Sequence, residues 1–92
     1  MRIHVRYTAQ VRAAAGRNEE TLDLPQAASV EDLLRSVGAR HGEAMQRLVL
    51  RPDQTPQPSL LLFVNDLQWR PSEPSALSEG DQVAIMSPIA GG

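Results

Sequence analysis

Ser29-Val30-Glu31-Asp32-Leu33-Leu34-Arg35-Ser36-Val37 is the stretch from which the rest of the chain takes its meaning. Ser29 can accept hydrogen bonds from the free amides of a first helical turn, and Glu31 and Asp32 stand where the positive end of a helix dipole favours negative charge. Val30, Leu33, Leu34 and Val37 recur at helical spacing and form one apolar stripe. Gly38 and Gly42 mark the expected fraying end. A single helix with one apolar face is not a domain, so its flanks must supply the surface on which it packs.

Upstream, Met1, Ile3, Val5 and Tyr7 alternate with Arg2, His4 and Arg6, the period-two pattern of a half-buried strand. Gln10 to Gly16 reads as a short alanine-rich turn of helix closed by a glycine. Thr21, Leu22 and Leu24 belong to a second strand that Pro25 stops, hairpin-paired with the first. Downstream, residues 43–50 carry Met45, Leu48 and Val49 on a second short helix. Residues 51–59, with three prolines, read as a surface loop. Leu60-Leu61-Leu62-Phe63-Val64 is a continuous apolar run suited to a central strand, buried on both faces or showing one face to a partner. Asn65-Asp66 tolerate positive φ and predict a tight turn into a short strand over 67–70. Ser78-Glu79-Gly80-Asp81 is a turn leading to the last strand, Gln82-Val83-Ala84-Ile85-Met86.

This order, ββαβ(β)β, predicts an α+β domain in which a mixed sheet of four or five strands curls around one main helix. That is a β-grasp, or ubiquitin-like, arrangement, with the first and last strands adjacent at the centre. A ferredoxin-like split βαβ is the alternative, weakened because residues 43–50 are not followed by a strand pattern of the right length. Residues 1–86 form the predicted domain and residues 87–92 an extended C-terminal tail.

With 92 residues and 41% hydrophobic side chains, the chain has the composition of one small globular domain. The absence of cysteine excludes disulfides, thiolate metal sites and a cysteine nucleophile. A formal net charge of -2, with nine arginines and no lysine, leaves no basic run for nucleic acid. It also leaves no side-chain amine on which an isopeptide chain could grow. No stretch approaches the length needed to cross a bilayer, so no membrane partner is expected and a cytoplasmic location is.

The side chains offer little chemistry. His4 and His41 read as structural or solvated, because neither has a partner spaced as a metal ligand or catalytic group requires. The acid pairs Glu19-Glu20, Glu31-Asp32 and Glu79-Asp81 read as turn and helix-start residues. No phosphate-binding glycine loop occurs. No metal and no bound cofactor are expected, and the chain does not read as an enzyme on its own.

What remains is Ser87-Pro88-Ile89-Ala90-Gly91-Gly92. Pro88 prevents full pairing with a neighbouring strand, so an extended arm is expected beyond the last strand. Gly91 and Gly92 lack Cβ atoms and can thread a narrow channel. Such an arm can deliver its own α-carboxylate into another protein's active site. If Leu60, Leu62 and Val64 face the helix, Leu61 and Phe63 form an exposed apolar patch suited to docking.

The strand Arg2-Ile3-His4-Val5-Arg6-Tyr7, the segment with Ala9, Arg12 and Ala15-Gly16, Val64-Asn65, the stretch from Leu77 through Gly80-Asp81 to Ala84, and the closing Pro88-Ile89-Ala90-Gly91-Gly92 together resemble the MoaD/ThiS family of ubiquitin-like sulfur carriers. Within it the chain looks most like the small subunits of molybdopterin synthases, although Met86-Ser87 stand where those often have an aromatic residue and a proline. The resemblance implies that Gly92 is adenylated by an E1-like enzyme using ATP and converted to a thiocarboxylate by a sulfur donor. It implies that Ala90 and Gly91 thread the partner's active site and that Pro88 and Ile89 join Leu61 and Phe63 in partner binding. It further implies a molybdopterin synthase large subunit as acceptor, in a heterotetramer of two carriers on a dimeric large subunit. Carriers for thiazole or cysteine synthesis share the same ending. A modifier that joins Gly92 to lysines of other proteins, and a plain interaction module, are the rival classes.

Overall fold

A computed structural model describes residues 1–87. The chain runs β1 (Arg2–Thr8), α1 (Ala9–Ala15), β2 (Glu19–Asp23), α2 (Val30–His41), α3 (Glu43–Val49), β3 (Leu61–Val64), β4 (Leu67–Trp69) and β5 (Gln82–Met86). The five strands form one sheet in the order β2-β1-β5-β3-β4. β1 and β5 are parallel neighbours at its centre, and the remaining pairs are antiparallel. This is the expected β-grasp sheet, with the first and last strands side by side.

Each element follows from a local cause. The alternation in β1 places Ile3, Val5 and Tyr7 inside, with Arg2 and Arg6 outside. α1 ends at Gly16, whose φ of 73° is left-handed and lets its N–H bond back to the Arg12 carbonyl. Asn65 and Asp66 both adopt positive φ, 51° and 70°, as a two-residue hairpin turn between β3 and β4 demands. Ser29 caps α2 reciprocally: its Oγ accepts from the Asp32 N–H at 3.1 Å, and the Asp32 carboxylate accepts from the Ser29 N–H at 2.9 Å.

One core holds these elements together. Val30, Leu33, Leu34 and Val37 of α2 meet Ile3, Val5, Leu62, Val83 and Ile85 of the sheet, and Val11, Met45 and Val49 close the margin from α1 and α3. Trp69 is buried on β4 and donates its indole N–H to the Pro74 carbonyl at 3.0 Å.

In one respect α2 departs from expectation. The helix does not fray at Gly38; it continues to His41 and ends at Gly42. Gly38 is a close-approach residue, since a Cβ there would lie 2.8 Å from Gln46 Cγ on α3. The glycine that reads as a helix breaker is what allows the two helices to touch.

Candidate functional site

All three helices lie against one face of the sheet, and the composition of the opposite face follows from strand parity. In β5, Val83 and Ile85 point into the core, so Ala84 and Met86 point out. In β3, Leu62 is buried and Leu61 is 43% exposed, with Phe63 half-buried. Register brings these together, because Leu61 pairs with Met86 and Phe63 with Ala84. The result is an apolar strip, Leu61-Met86 and Phe63-Ala84, on a sheet face that no helix among the described residues covers.

Beside the strip the face turns polar. β1 contributes Arg2, His4, Arg6 and Thr8, paired across to Asp23, Thr21 and Glu19 of β2. Arg6 and Arg12 line a concavity with Thr8, Ala84 and Met86, and Glu19, whose carboxylate lies 3.3 Å from His4 Nε2, is the one acid there among the described residues. Neither guanidinium forms an ion pair among the described residues. An apolar strip rimmed by unspent positive charge is complementary to an apolar surface that carries carboxylates.

The strand that carries Met86 and Ala84 also leads to the tail. Ser87 was assigned to that tail by sequence, yet it is only 5% exposed. Its Oγ accepts from the N–H groups of Gln10 at 3.0 Å and Val11 at 3.3 Å, the first turn of α1. Ser87 therefore sits with the folded domain. Pro88, Ile89, Ala90, Gly91 and Gly92, the tail residues singled out by sequence, lie outside the described residues.

A second cluster was missed in the sequence. Glu20 has the same strand parity as Leu22, and its side chain is 2% exposed. Its carboxylate accepts from the Tyr7 hydroxyl at 2.5 Å, Arg40 Nε at 2.8 Å, His41 Nε2 at 2.5 Å and Arg17 at 3.3 Å. Burial alone would raise its pKa, but the bonds from Tyr7, His41 and Arg40 outweigh it and hold the carboxyl down to about 2. Burial pushes the Tyr7 phenol well above its usual range, and the Glu20 carboxylate adds to this. The Tyr7 ring meets the His41 ring edge-on, with centroids 5.8 Å apart.

Both histidines have carboxylate partners, since His4 Nε2 also lies 3.3 Å from Glu19, and these contacts are structural ones of the kind the sequence led us to expect. The available signal was an acid at an inward position of a strand, which must be paired to be tolerated. The cluster ties β1, β2 and the end of α2 together, away from the apolar strip. Among the described residues no group of three or more acids and histidines is arranged to hold a metal ion. No helix among them is long and apolar enough to cross a membrane.

Comparison with known proteins agrees with this geometry. The profile of the ThiS family matches residues 5–92. The molybdopterin synthase sulfur carrier subunit of Chlamydomonas reinhardtii is 36% identical over 92 residues, covering all of both chains. The small archaeal modifier protein 3 of Haloferax volcanii is 27% identical over 92 residues, again covering both chains in full. The crystal structure of SAMP1 from Haloferax volcanii superposes with a TM-score of 0.85 over 100% of both chains, at 23% identity.

Proposed function

Because the chain belongs to the ThiS family of small β-grasp sulfur carriers and ubiquitin-like modifiers, we propose that it is the sulfur carrier subunit of a molybdopterin synthase, loaded at the Gly92 carboxylate by an E1-like enzyme. The observation that carries this reading is the junction at Ser87. A central strand bearing Ala84 and Met86 on an uncovered apolar face ends beside α1, and the sequence then closes on Ala90-Gly91-Gly92. The full-length match to the Chlamydomonas reinhardtii carrier supports the choice of pathway.

The chemistry follows from what a carboxylate lacks. It is a poor electrophile until one oxygen becomes a leaving group. On the activating enzyme a Gly92 oxygen attacks the α-phosphorus of ATP and pyrophosphate departs. A sulfide-level donor then adds to the acyl carbon, AMP leaves with that oxygen, and a thiocarboxylate remains. In the synthase the thiocarboxylate sulfur forms a C–S bond to the pyranopterin precursor as an oxygen substituent leaves, and water then cleaves the Gly92 thioester, so that sulfur stays on the precursor and the Gly92 carboxylate returns; the acid and base groups come from the large subunit.

This chain's own part is to dock and to reach. Five residues beyond Ser87 span at most about 18 Å when fully extended, so the partner's reactive centre must come close to the end of β5. The strip of Leu61, Phe63, Ala84 and Met86 is next to that point and suits such docking, with Arg6 and Arg12 meeting acidic groups at the rim.

Intact-protein mass spectrometry after incubation with the activating enzyme, ATP and a sulfur donor tests the proposal. The mass should rise by the difference between sulfur and oxygen, only with ATP, and not when residues are added after Gly92. No gain with the activating enzyme of the same cell, ATP and a sulfur donor would refute it. A second reading, a protein modifier, is favoured by the likeness to small archaeal modifier protein 3. It shares the adenylation step and predicts Gly92 amides on lysines of other proteins, visible as ladders on a blot of cell lysate.

A further inference from the structure

We propose that Ser87 is a positioning residue, fixing the point from which the chain continues to Gly92. The inference rests on the carrier reading above and assigns the control of carboxylate delivery to one hydroxyl.

A helix leaves its first amides without intrahelical acceptors, and the residue just before it usually supplies an oxygen. Here that residue is Thr8, and its side chain makes no cap bond to α1. Its hydroxyl turns toward the Ile85 carbonyl instead, at 3.5 Å. Two amides of the first turn are satisfied from a distance, by the Oγ of Ser87, 77 residues from Gln10 and 76 from Val11.

The geometry makes this a clamp as well as a cap. Ser87 follows directly on β5, which pairs along β1 up to the contact of Thr8 with Met86. The chain immediately after β1 becomes α1, so one hydroxyl joins the last described residue to the point where the first strand turns into a helix. Ala9 at that turn has a left-handed φ of 56°, a conformation alanine holds only when its surroundings require it. Ser87 is also buried, so water cannot readily replace the bonds if the hydroxyl is removed.

The consequence concerns orientation more than affinity. The apolar strip that meets the partner lies on β3 and β5 and does not depend on the Ser87 side chain. With the strip docked, a fixed Ser87 sets where the segment that carries the Gly92 carboxylate begins, and misplacing a reacting group by about 1 Å costs up to about 100-fold in rate. Loss of the clamp should therefore lower the turnover number and leave the Michaelis constant in place.

The experiment compares wild type, Ser87→Ala, Ser87→Thr and a stability-matched core variant, Leu34→Val, in steady-state thiocarboxylation by the activating enzyme, well below every thermal midpoint. Ser87→Ala should lower kcat about tenfold with KM unchanged. Ser87→Thr, which keeps the acceptor oxygen, should recover most of it, and Leu34→Val should match wild type. A kcat for Ser87→Ala equal to that of wild type or of Leu34→Val would reduce Ser87 to a structural cap and overturn the proposal. A rise in KM alone would overturn it too, by moving the effect to docking. A wild-type chain that is never loaded would refute the carrier reading, and this inference with it.

Discussion

Glu20 shows how one side chain can hold a small fold to a narrow choice. Its carboxylate is buried and accepts from four donors on β1, α2 and the turn before β2. Glu20→Ala would leave the Tyr7 hydroxyl and His41 facing an unfilled polar space, and should cost about 3 kcal/mol of stability in urea unfolding. Dependence on pH follows from the direction of the shift. The folded carboxyl titrates at about 2 against an ordinary 4.5, so the charged form is favoured by folding. That contribution is complete above about 4.5 and is lost as pH falls towards about 2. Wild type should lose stability across this window, and Glu20→Gln should lose much less. An equal acid slope in the two proteins would show that other carboxylates carry the effect.

At the scale of elements, the packing of α2 on α3 turns on Gly38. Alanine is the better helix former by roughly 1 kcal/mol, but its Cβ would meet Gln46 Cγ at 2.8 Å. Overpacking of that kind costs about 1–3 kcal/mol, so Gly38→Ala alone should destabilise. The remaining neighbours, Gln46 Cα and Cβ, lie at 3.6 and 3.7 Å, ordinary contact distances. In a Gln46→Ala background the same substitution should therefore stabilise by up to about 1 kcal/mol, and a double-mutant cycle by chemical denaturation measures the change of sign. No reading of sequence reaches this result, because a glycine late in a helical stripe looks the same whether it breaks the helix or admits a neighbour. The elements themselves were legible. The stripe of Val30, Leu33, Leu34 and Val37, the alternation of β1 and the Asn65-Asp66 turn each follow from spacing or local chemistry. Leu61 and Phe63 could be named by parity within one strand, whereas joining them to Ala84 and Met86 required the pairing of β3 with β5. Ser87 lay beyond reach because its partners are 76 and 77 residues away.

For the molecule as a whole, the question is whether the uncovered sheet face is a docking surface or merely a surface. Scattered exposed apolar residues are normal on small proteins, so exposure of Leu61 proves nothing alone. Leu67 supplies the control. It is 76% exposed, more than Leu61 at 43%. Its pairing with Val64 places it on the opposite face of the sheet from Leu61 and Phe63, at the β3–β4 hairpin. If apolar exposure as such drove association, Leu67→Asp would weaken partner binding at least as much as Leu61→Asp. If the strip on β3 and β5 is the docking surface, Leu61→Asp should weaken binding to the activating enzyme and to the synthase large subunit by about tenfold or more, and Leu67→Asp should leave both unchanged. Phe63→Asp should weaken binding as well, with some loss of stability because its ring is half-buried. Titration calorimetry on the three variants, with thermal midpoints recorded beside it, separates the cases. Equal effects from Leu61→Asp and Leu67→Asp would remove the strip from the argument. A loss confined to Leu61→Asp and Phe63→Asp would place the partner against the face from which β5 hands the chain on to Gly92.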